Sequence, residues 1–165
     1  MNLKGVKLED FVNYKKPSMF LITCFCDWKC CWEIGVDSSI CQNMPIAKEE
    51  IRDIPNEVLY NLYERSEISK SIVLGGLEPF LQFPELYEFI KYFRERTNDD
   101  IIIYTGYYKE EVKELVKSLS SFDNIIIKYG RYIPNRPSRY DEVLGITLAS
   151  DNQYAERLDK NESTI

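Results

Sequence analysis

Five cysteines gathered in one short segment are the residues best suited to chemistry. They are Cys24, Cys26, Cys30, Cys31 and Cys41, and the rest of the chain contains none. A disulfide framework would spread an even number of cysteines along the chain to join distant segments. Clustered thiols in a reducing compartment indicate metal ligands instead, although unliganded thiols are the simpler alternative. Because the chain has no histidine, the site would be a cysteine-only zinc site or an iron–sulfur cluster.

Composition excludes several other classes of function. The lack of histidine removes Ser-His and Cys-His hydrolases and imidazole general bases. A net charge of −6 argues against nucleic-acid binding, which needs a cationic face. Apolar runs such as residues 125–127 are too short to cross a bilayer, and the N-terminus lacks the apolar region of a signal peptide. We therefore expect a cytoplasmic protein without a membrane partner.

The elements that must position the cysteines alternate between strands and helices. Continuous apolar runs predict buried strands, and apolar residues at helical spacing predict helices. The predicted strands cover residues 18–23, 71–74, 100–104 and 124–129, with a last strand or turn at 142–148. The predicted helices cover residues 47–66, 84–97 and 109–119, and the first 16 residues are a short lead-in at an edge. This order predicts one α/β domain over residues 1–165, with a mostly parallel sheet buried on both faces.

Four features follow the predicted strands directly. They are the cysteine loop, residues 75–79 (GGLEP), residues 104–107 (YTGY) and the pair Gly130-Arg131. Ligands of such folds bind outside the carboxyl ends of the strands, so the convergence predicts a ligand site there. A basic segment with Arg131, Arg136 and Arg139 is expected to be a solvated loop, and contact with a carboxylate or a partner surface is the alternative.

The cysteine motif resembles that of the radical S-adenosylmethionine (SAM) superfamily, in particular the activating proteins of anaerobic ribonucleoside-triphosphate reductase. Cys26 and Cys30 have the first spacing of the superfamily's C-x3-C-x2-C motif, but Glu33 stands where the third cysteine should follow. In the activating proteins the third cysteine is commonly followed by x-Asn, and Cys41 with Asn43 reproduces this pattern. The motif is therefore interpreted as C-x3-C-x10-C, with a loop inserted before the last ligand.

The resemblance continues downstream and spans roughly residues 18–155. Residues 75–79 are similar to the GGEP segment of the superfamily, with Leu77 as an extra residue, and residues 104–107 match the YTGY of the activating proteins. Residues 129–132 and 150–153 are similar, less closely, to two segments near the C-terminus of those proteins.

The resemblance implies a fold and a set of site residues. The fold would be a partial (βα) barrel of the radical SAM type. Cys26, Cys30 and Cys41 would hold a [4Fe-4S] cluster with one iron left open to the amino and carboxylate groups of SAM. The cofactor-binding residues would be Gly75, Gly76, Glu78, Tyr104, Thr105, Asn43 and Ile40, with Glu78 facing the ammonium group of SAM. No catalytic residue is expected beyond the cluster and SAM.

Cys24 and Cys31 would then be spare. Cys24 lies two residues before Cys26 and is expected deeper toward the core, and adjacent side chains such as Cys30 and Cys31 seldom converge on one compact cluster. The competing ligand set is Cys24, Cys26 and Cys30.

The activity that the resemblance implies is reductive cleavage of SAM to a 5′-deoxyadenosyl radical in an anaerobic, reducing setting. The radical would install a glycyl radical on a large glycyl-radical enzyme such as anaerobic ribonucleotide reductase, with flavodoxin or ferredoxin as electron donor. Two alternatives stay open: a small radical SAM enzyme that acts on a free metabolite, of the carboxy-deazaguanine synthase type, and a non-catalytic iron–sulfur or zinc binding module.

Overall fold

A computed structural model describes residues 1–159; residues 160–165 of the predicted domain lie outside the described residues. The strands are β1 (Asn2–Leu3), β2 (Gly5–Asp10), β3 (Ser18–Ile22), β4 (Arg52–Asp53), β5 (Ser71–Gly75), β6 (Asp100–Tyr104), β7 (Ile125–Tyr129), β8 (Arg139–Asp141), β9 (Ile146–Leu148) and β10 (Tyr154–Arg157). The helices are α1 (Lys29–Trp32), α2 (Met44–Lys48), α3 (Asn56–Glu64), α4 (Phe83–Arg94) and α5 (Lys113–Leu119). Short 3₁₀ turns lie at Ser38–Ile40, Pro79–Gln82 and Lys109–Glu111.

A six-stranded sheet in the order β10-β7-β6-β5-β3-β2 forms the centre of the fold. Its four inner strands, β3, β5, β6 and β7, run parallel, and β2 and β10 add to the two edges antiparallel. The predicted α/β class with a mostly parallel sheet is therefore confirmed. The sheet has two edge strands and is not a closed barrel in the described part of the chain, so the radical SAM type of fold stays a prediction.

Both faces of the sheet are buried, but by different kinds of structure. Successive side chains of a strand point to opposite faces, so Ile101 and Ile103 share one cluster while Ile102 belongs to the other. The first cluster includes buried side chains of α3, α4 and α5. The second is covered by Tyr14 from the lead-in and by Leu144 and Leu148 around β9. Helices therefore cover one face, and irregular chain with a hairpin covers the other.

Asp100 at the start of β6 ties the lead-in and the last strand to the sheet. Its carboxylate accepts hydrogen bonds from Tyr14 Oη at 2.9 Å, Lys16 Nζ at 2.7 Å and Arg157 Nη1 at 2.7 Å. Burial acts to raise the pKa of Asp100, but these three donors outweigh it and hold the pKa at about 2.

The predicted helix over residues 47–66 is wrong in its first half. α2 ends at Lys48, the short strand β4 follows, and α3 begins only at Asn56. Pro55 explains the late start, because proline lacks a backbone N–H and disfavours helical backbone in the residue before it. Its own φ of −56° suits it to stand directly before α3.

Other boundaries differ more simply. The lead-in contributes β1 and the edge strand β2, and β10 was not predicted. The helix over residues 109–119 begins as a 3₁₀ turn, and only Ile146–Leu148 of the segment 142–148 is a strand. No helix within residues 1–159 is long and apolar enough to cross a membrane.

Candidate functional site

Four loops meet at the carboxyl ends of β3, β5, β6 and β7. The amide of Glu78, after β5, donates to the carbonyl oxygen of Phe25 in the cysteine loop at 2.6 Å. The amide of Gly130, after β7, donates to the carbonyl oxygen of Tyr107, after β6, at 3.0 Å. The structure therefore brings together the four segments that sequence analysis placed at this edge of the sheet.

Glu78 is the buried carboxylate at the centre of this edge. Glu78 is only 5% exposed. Its carboxylate accepts hydrogen bonds from Phe80 N at 3.1 Å, Thr105 Oγ1 at 2.8 Å and Gly106 N at 2.9 Å. Burial raises the pKa of Glu78 to about 7, although the three donors act in the opposite direction. An ionised carboxylate has about four acceptor positions, so one remains for a further donor.

The glycines before Glu78 are required by close packing. Gly76 has φ +86°, and a Cβ there would lie 2.8 Å from Cγ2 of Ile22. A Cβ on Gly75 would lie 3.0 Å from the Cβ of Tyr104 on the neighbouring strand. Any larger residue would therefore displace β3 or β6 from Glu78. The hydroxyl of Tyr104 donates to the carbonyl oxygen of Asn13 at 2.6 Å, so its polar end is engaged by the lead-in.

Thr105 and Tyr107 connect Glu78 to the cysteine loop. Thr105 is 1% exposed; its hydroxyl donates to Glu78 and accepts from the amide of Tyr107 at 2.9 Å. The hydroxyl of Tyr107 in turn donates to Oδ2 of Asp27 at 2.6 Å, directly after Cys26. Sequence analysis selected Thr105 but missed the contact between Tyr107 and Asp27, since no spacing rule pairs residues so far apart in the chain.

Cys26, Cys30 and Cys41 lie close enough to influence one another electrostatically. Burial, together with smaller contributions from the neighbouring Cys31, Cys26 and Cys41, raises the pKa of Cys30 to about 12. Burial also raises the pKa of Cys26 to about 11, with smaller contributions from Asp27, Glu78 and Cys41 in the same direction. The thiols of the predicted ligand set therefore lie within electrostatic reach of one another, and that of Cys26 is also within reach of Glu78.

The two spare cysteines occupy different places. Cys24 is buried, and the charged groups that affect its pKa are Lys4, Glu85 and the N-terminus rather than another cysteine. Cys31 is also buried, with its sulfur 3.9 Å from that of Cys30. Cys24 is thus buried, as expected of a residue deeper toward the core, and it lies near charged groups of the lead-in. Cys31 lies directly beside Cys30.

The donor set fits an iron–sulfur cluster by its chemistry. Within residues 1–159, no three Cys, Asp or Glu side chains already stand in a metal-binding arrangement. Thiolates are the ligands of such clusters, and three thiols of the cysteine loop lie in one neighbourhood. Because their raised pKa values keep Cys26 and Cys30 protonated at neutral pH, binding requires these thiols to lose their protons and the three sulfurs to approach one another.

Two predicted cofactor-binding residues lie on either side of Cys41. Ile40 ends the 3₁₀ turn Ser38–Ile40 and is 67% exposed. Asn43 directly precedes α2, and its side chain makes no capping bond. Neither belongs to the hydrogen-bond network around Glu78 in the described residues.

Sequence analysis missed an ion cluster, which we call the Glu111 ion cluster: Lys29, Glu33, Glu111 and Arg131. Arg131 donates from Nη1 and Nη2 to the two carboxylate oxygens of Glu111, each at 2.7 Å, and its Nε lies 3.0 Å from Oε2 of Glu33, outside hydrogen-bond alignment. Lys29 Nζ lies 2.7 Å from Oε1 of Glu111. The solvated-loop prediction is wrong for Arg131, which is 3% exposed. Its position directly after a strand was the available signal.

Lys128 is a second buried charge that the sequence interpretation did not use. It follows the apolar run of β7, donates from Nζ to the carbonyl oxygen of Gly130 at 2.9 Å and lies 5.8 Å from the ring centre of Tyr104. Burial lowers the pKa of Lys128 to about 8. A lysine that interrupts an apolar strand was the signal.

Comparison with protein families adds an independent observation. Residues 19–153 match the family described as a 4Fe-4S single cluster domain. The chain belongs to this family. The match includes all five cysteines and all four strand-end loops, confirms the predicted [4Fe-4S] cluster and favours it over zinc. Comparisons with curated proteins and with solved structures gave no match.

Proposed function

We propose that this iron–sulfur protein is a radical SAM enzyme that activates a glycyl-radical enzyme. The observation that carries the proposal is Glu78: a buried carboxylate beside the cysteine loop, with no Lys or Arg within ion-pair distance in residues 1–159. A buried carboxylate is costly unless a cation or further donors compensate it. The ammonium group of SAM supplies both a cation and donors. The matched family, which is associated with radical SAM proteins, supports the same conclusion.

The residues of the chain would divide the binding work. Cys26, Cys30 and Cys41 would ligate three irons and leave the fourth for SAM. Glu78 would accept from the SAM ammonium at its remaining acceptor position, and the cation would lower the pKa of Glu78 so that the carboxylate ionises. Gly76, which leaves no room for a Cβ beside Ile22, would hold the loop that carries Glu78 close to β3.

The bound cluster would supply the single electron that cleaves SAM to methionine and a 5′-deoxyadenosyl radical, which removes a hydrogen atom from a backbone glycine. A protein substrate is supported by the apolar surface around the cysteine loop. Trp32 is 73% exposed and Ile40 67% exposed, and Ile34 between them is also exposed. Large apolar side chains grouped on a surface are typical of protein interaction sites. Flavodoxin or ferredoxin would deliver the electron.

The test is anaerobic reconstitution with iron and sulfide, followed by SAM cleavage with dithionite and detection of 5′-deoxyadenosine. Cleavage that depends on iron loading supports the proposal. A loaded protein that leaves SAM intact contradicts it and favours the non-catalytic module. Turnover of a small metabolite without a protein partner would retain radical SAM chemistry and refute the activase part.

A further inference from the structure

Both ends of the helix that carries Cys30 are held by charges from other loops. α1 covers only Lys29–Trp32, and a helix of this length is not stable on its own. Lys29 at its first position contacts Glu111, and Glu33 directly after its last residue contacts Arg131. Both anchors belong to the Glu111 ion cluster, so α1 is fixed against the loops that follow β6 and β7.

Arg131 is the residue on which this anchoring depends. Its guanidinium makes a bidentate contact with Glu111. The centre of the Tyr108 ring lies 4.6 Å from Cζ of Arg131. Glu111 is fixed in turn by the amide of Tyr108, which donates to Oε2 at 2.8 Å. Bidentate contacts between arginine and carboxylate fix orientation as well as distance, and stacking restricts the guanidinium plane further.

We propose that Arg131 is a positioning residue that orients α1 and thereby the thiol of Cys30 for cluster binding. The inference rests on the proposed role of Cys30 as a cluster ligand and does not depend on SAM cleavage. Its basis is the chain of contacts from Arg131 through Glu33 and Glu111 to the two ends of α1. The thiol of Cys30 lies within that short helix, so its orientation follows that of α1.

The first experiment uses the cluster-free, reduced protein, so that its outcome is independent of activity. Hydrogen exchange is compared between wild type and Arg131→Gln at the amides of Cys31, Trp32 and Glu33, which bond within α1. We expect exchange at these amides to be at least roughly tenfold faster in Arg131→Gln. In wild type, local opening of α1 must break its contacts with the ion cluster, and in the variant this cost is removed. The matched control is Arg136→Gln, which removes an ion pair with Asp151 elsewhere in the same basic segment.

The second experiment measures the rate at which reconstituted protein loses iron to a chelator. We expect Arg131→Gln to lose iron roughly tenfold faster than wild type and Arg136→Gln to lose it at the wild-type rate. Arg131→Lys retains the charge but not the bidentate contact with Glu111, so we expect its rate of iron loss to lie between those of wild type and Arg131→Gln. Unchanged iron release and unchanged exchange at α1 in Arg131→Gln would overturn the inference.

Glu33→Gln keeps the experiments decisive if Arg131→Gln does not fold. The side chain of Glu33 is 47% exposed, so this substitution is tolerated by the core, yet it releases the C-terminal end of α1 from Arg131. We expect faster exchange and faster iron loss in Glu33→Gln as well, without a comparable change in melting temperature. A wild-type protein that holds its cluster but does not cleave SAM would refute the proposed function and leave these results to decide the role of Arg131.

Discussion

Replacing Glu78 with glutamine removes the buried charge while keeping most of its shape. The amide oxygen can still accept from Phe80 N and Thr105 Oγ1, which both bond to Oε1 of Glu78. In the wild type the N–H of Gly106 donates to Oε2 of Glu78. In the variant this N–H would face the amide nitrogen, which cannot accept a hydrogen bond. One buried donor loses its partner, so the substitution should cost roughly 1 to 3 kcal/mol at any pH.

The charge itself adds a component that depends on pH. Because burial raises the pKa of Glu78 from 4.5 to about 7, folding takes up a proton. The stabilising contribution is fully present below a pH of about 4.5 and is lost as the pH rises through about 7. Between about pH 5 and pH 8, wild type should therefore lose about 2 to 3 kcal/mol of unfolding free energy that Glu78→Gln does not lose.

Urea unfolding of the cluster-free, reduced protein at a series of pH values measures this difference. Subtracting the curve of Glu78→Gln removes the titration of the groups that Glu78 does not influence, while Lys128, whose pKa the carboxylate raises, contributes to the difference near pH 8. The exposed Glu88→Gln serves as control. A difference that does not change over this pH range would refute the burial argument. In the reconstituted protein, SAM affinity should rise with pH in wild type because ionised Glu78 binds the ammonium. The same titration with Glu78→Gln should lose that rise.

Three further predictions test the fold and the ligands. Asp100→Asn should cost about 2 kcal/mol more at neutral pH than near pH 2, because the depressed pKa of Asp100 gives stability above about 3.8 that is lost as the pH falls through about 2. The hydrogen bond that the amide nitrogen cannot accept is lost at every pH, so acid unfolding is compared at the two pH values. Gly76→Ala should lower the melting temperature more than Gly35→Ala, since both have positive φ but only Gly76 has a neighbour too close for a Cβ; equal losses would contradict the packing argument. After anaerobic reconstitution Cys41→Ala should lose bound iron and Cys24→Ala should keep it, and the reverse pattern would favour the contiguous ligand set.

The parts of the fold that the sequence predicted correctly are those with strong local signals. The strands that became β3, β5, β6 and β7 are continuous apolar runs, and their order with intervening helices indicates a parallel sheet. The convergence of the strand-end loops follows from that topology. β2 and β10 were missed because they are edge strands with few apolar residues, GVKLED and YAER, and neither contains the continuous apolar run that marks the inner strands.

The parts of the site that the sequence did not predict are contacts between distant segments. Glu78 and Thr105 were selected because they lie in loops that follow strands and resemble segments of the radical SAM superfamily, and the structure joins them by a hydrogen bond. The position of Arg131 after a strand could have indicated its burial, but its partners could not be predicted, because no sequence pattern pairs it with residues so far along the chain. Only the tertiary arrangement decides that Glu33 and Glu111 surround its guanidinium.

The ion cluster also gives a physical reason why the long spacing before Cys41 is compatible with a fixed site. Glu33 stands where a contiguous motif would have its third cysteine, and here that position contacts Arg131 instead of metal. The far side of the insertion is held as well, because Lys4 Nζ donates to the carbonyl oxygen of Ala47 at 3.0 Å. The cost of closing a loop grows only slowly with its length, so residues added between two fixed ends change the closure free energy little. The two ends of the cysteine segment are therefore anchored by the sheet's loops and lead-in, and Cys41 lies between them, on the stretch that would have to approach Cys26 and Cys30 in the proposed ligand set.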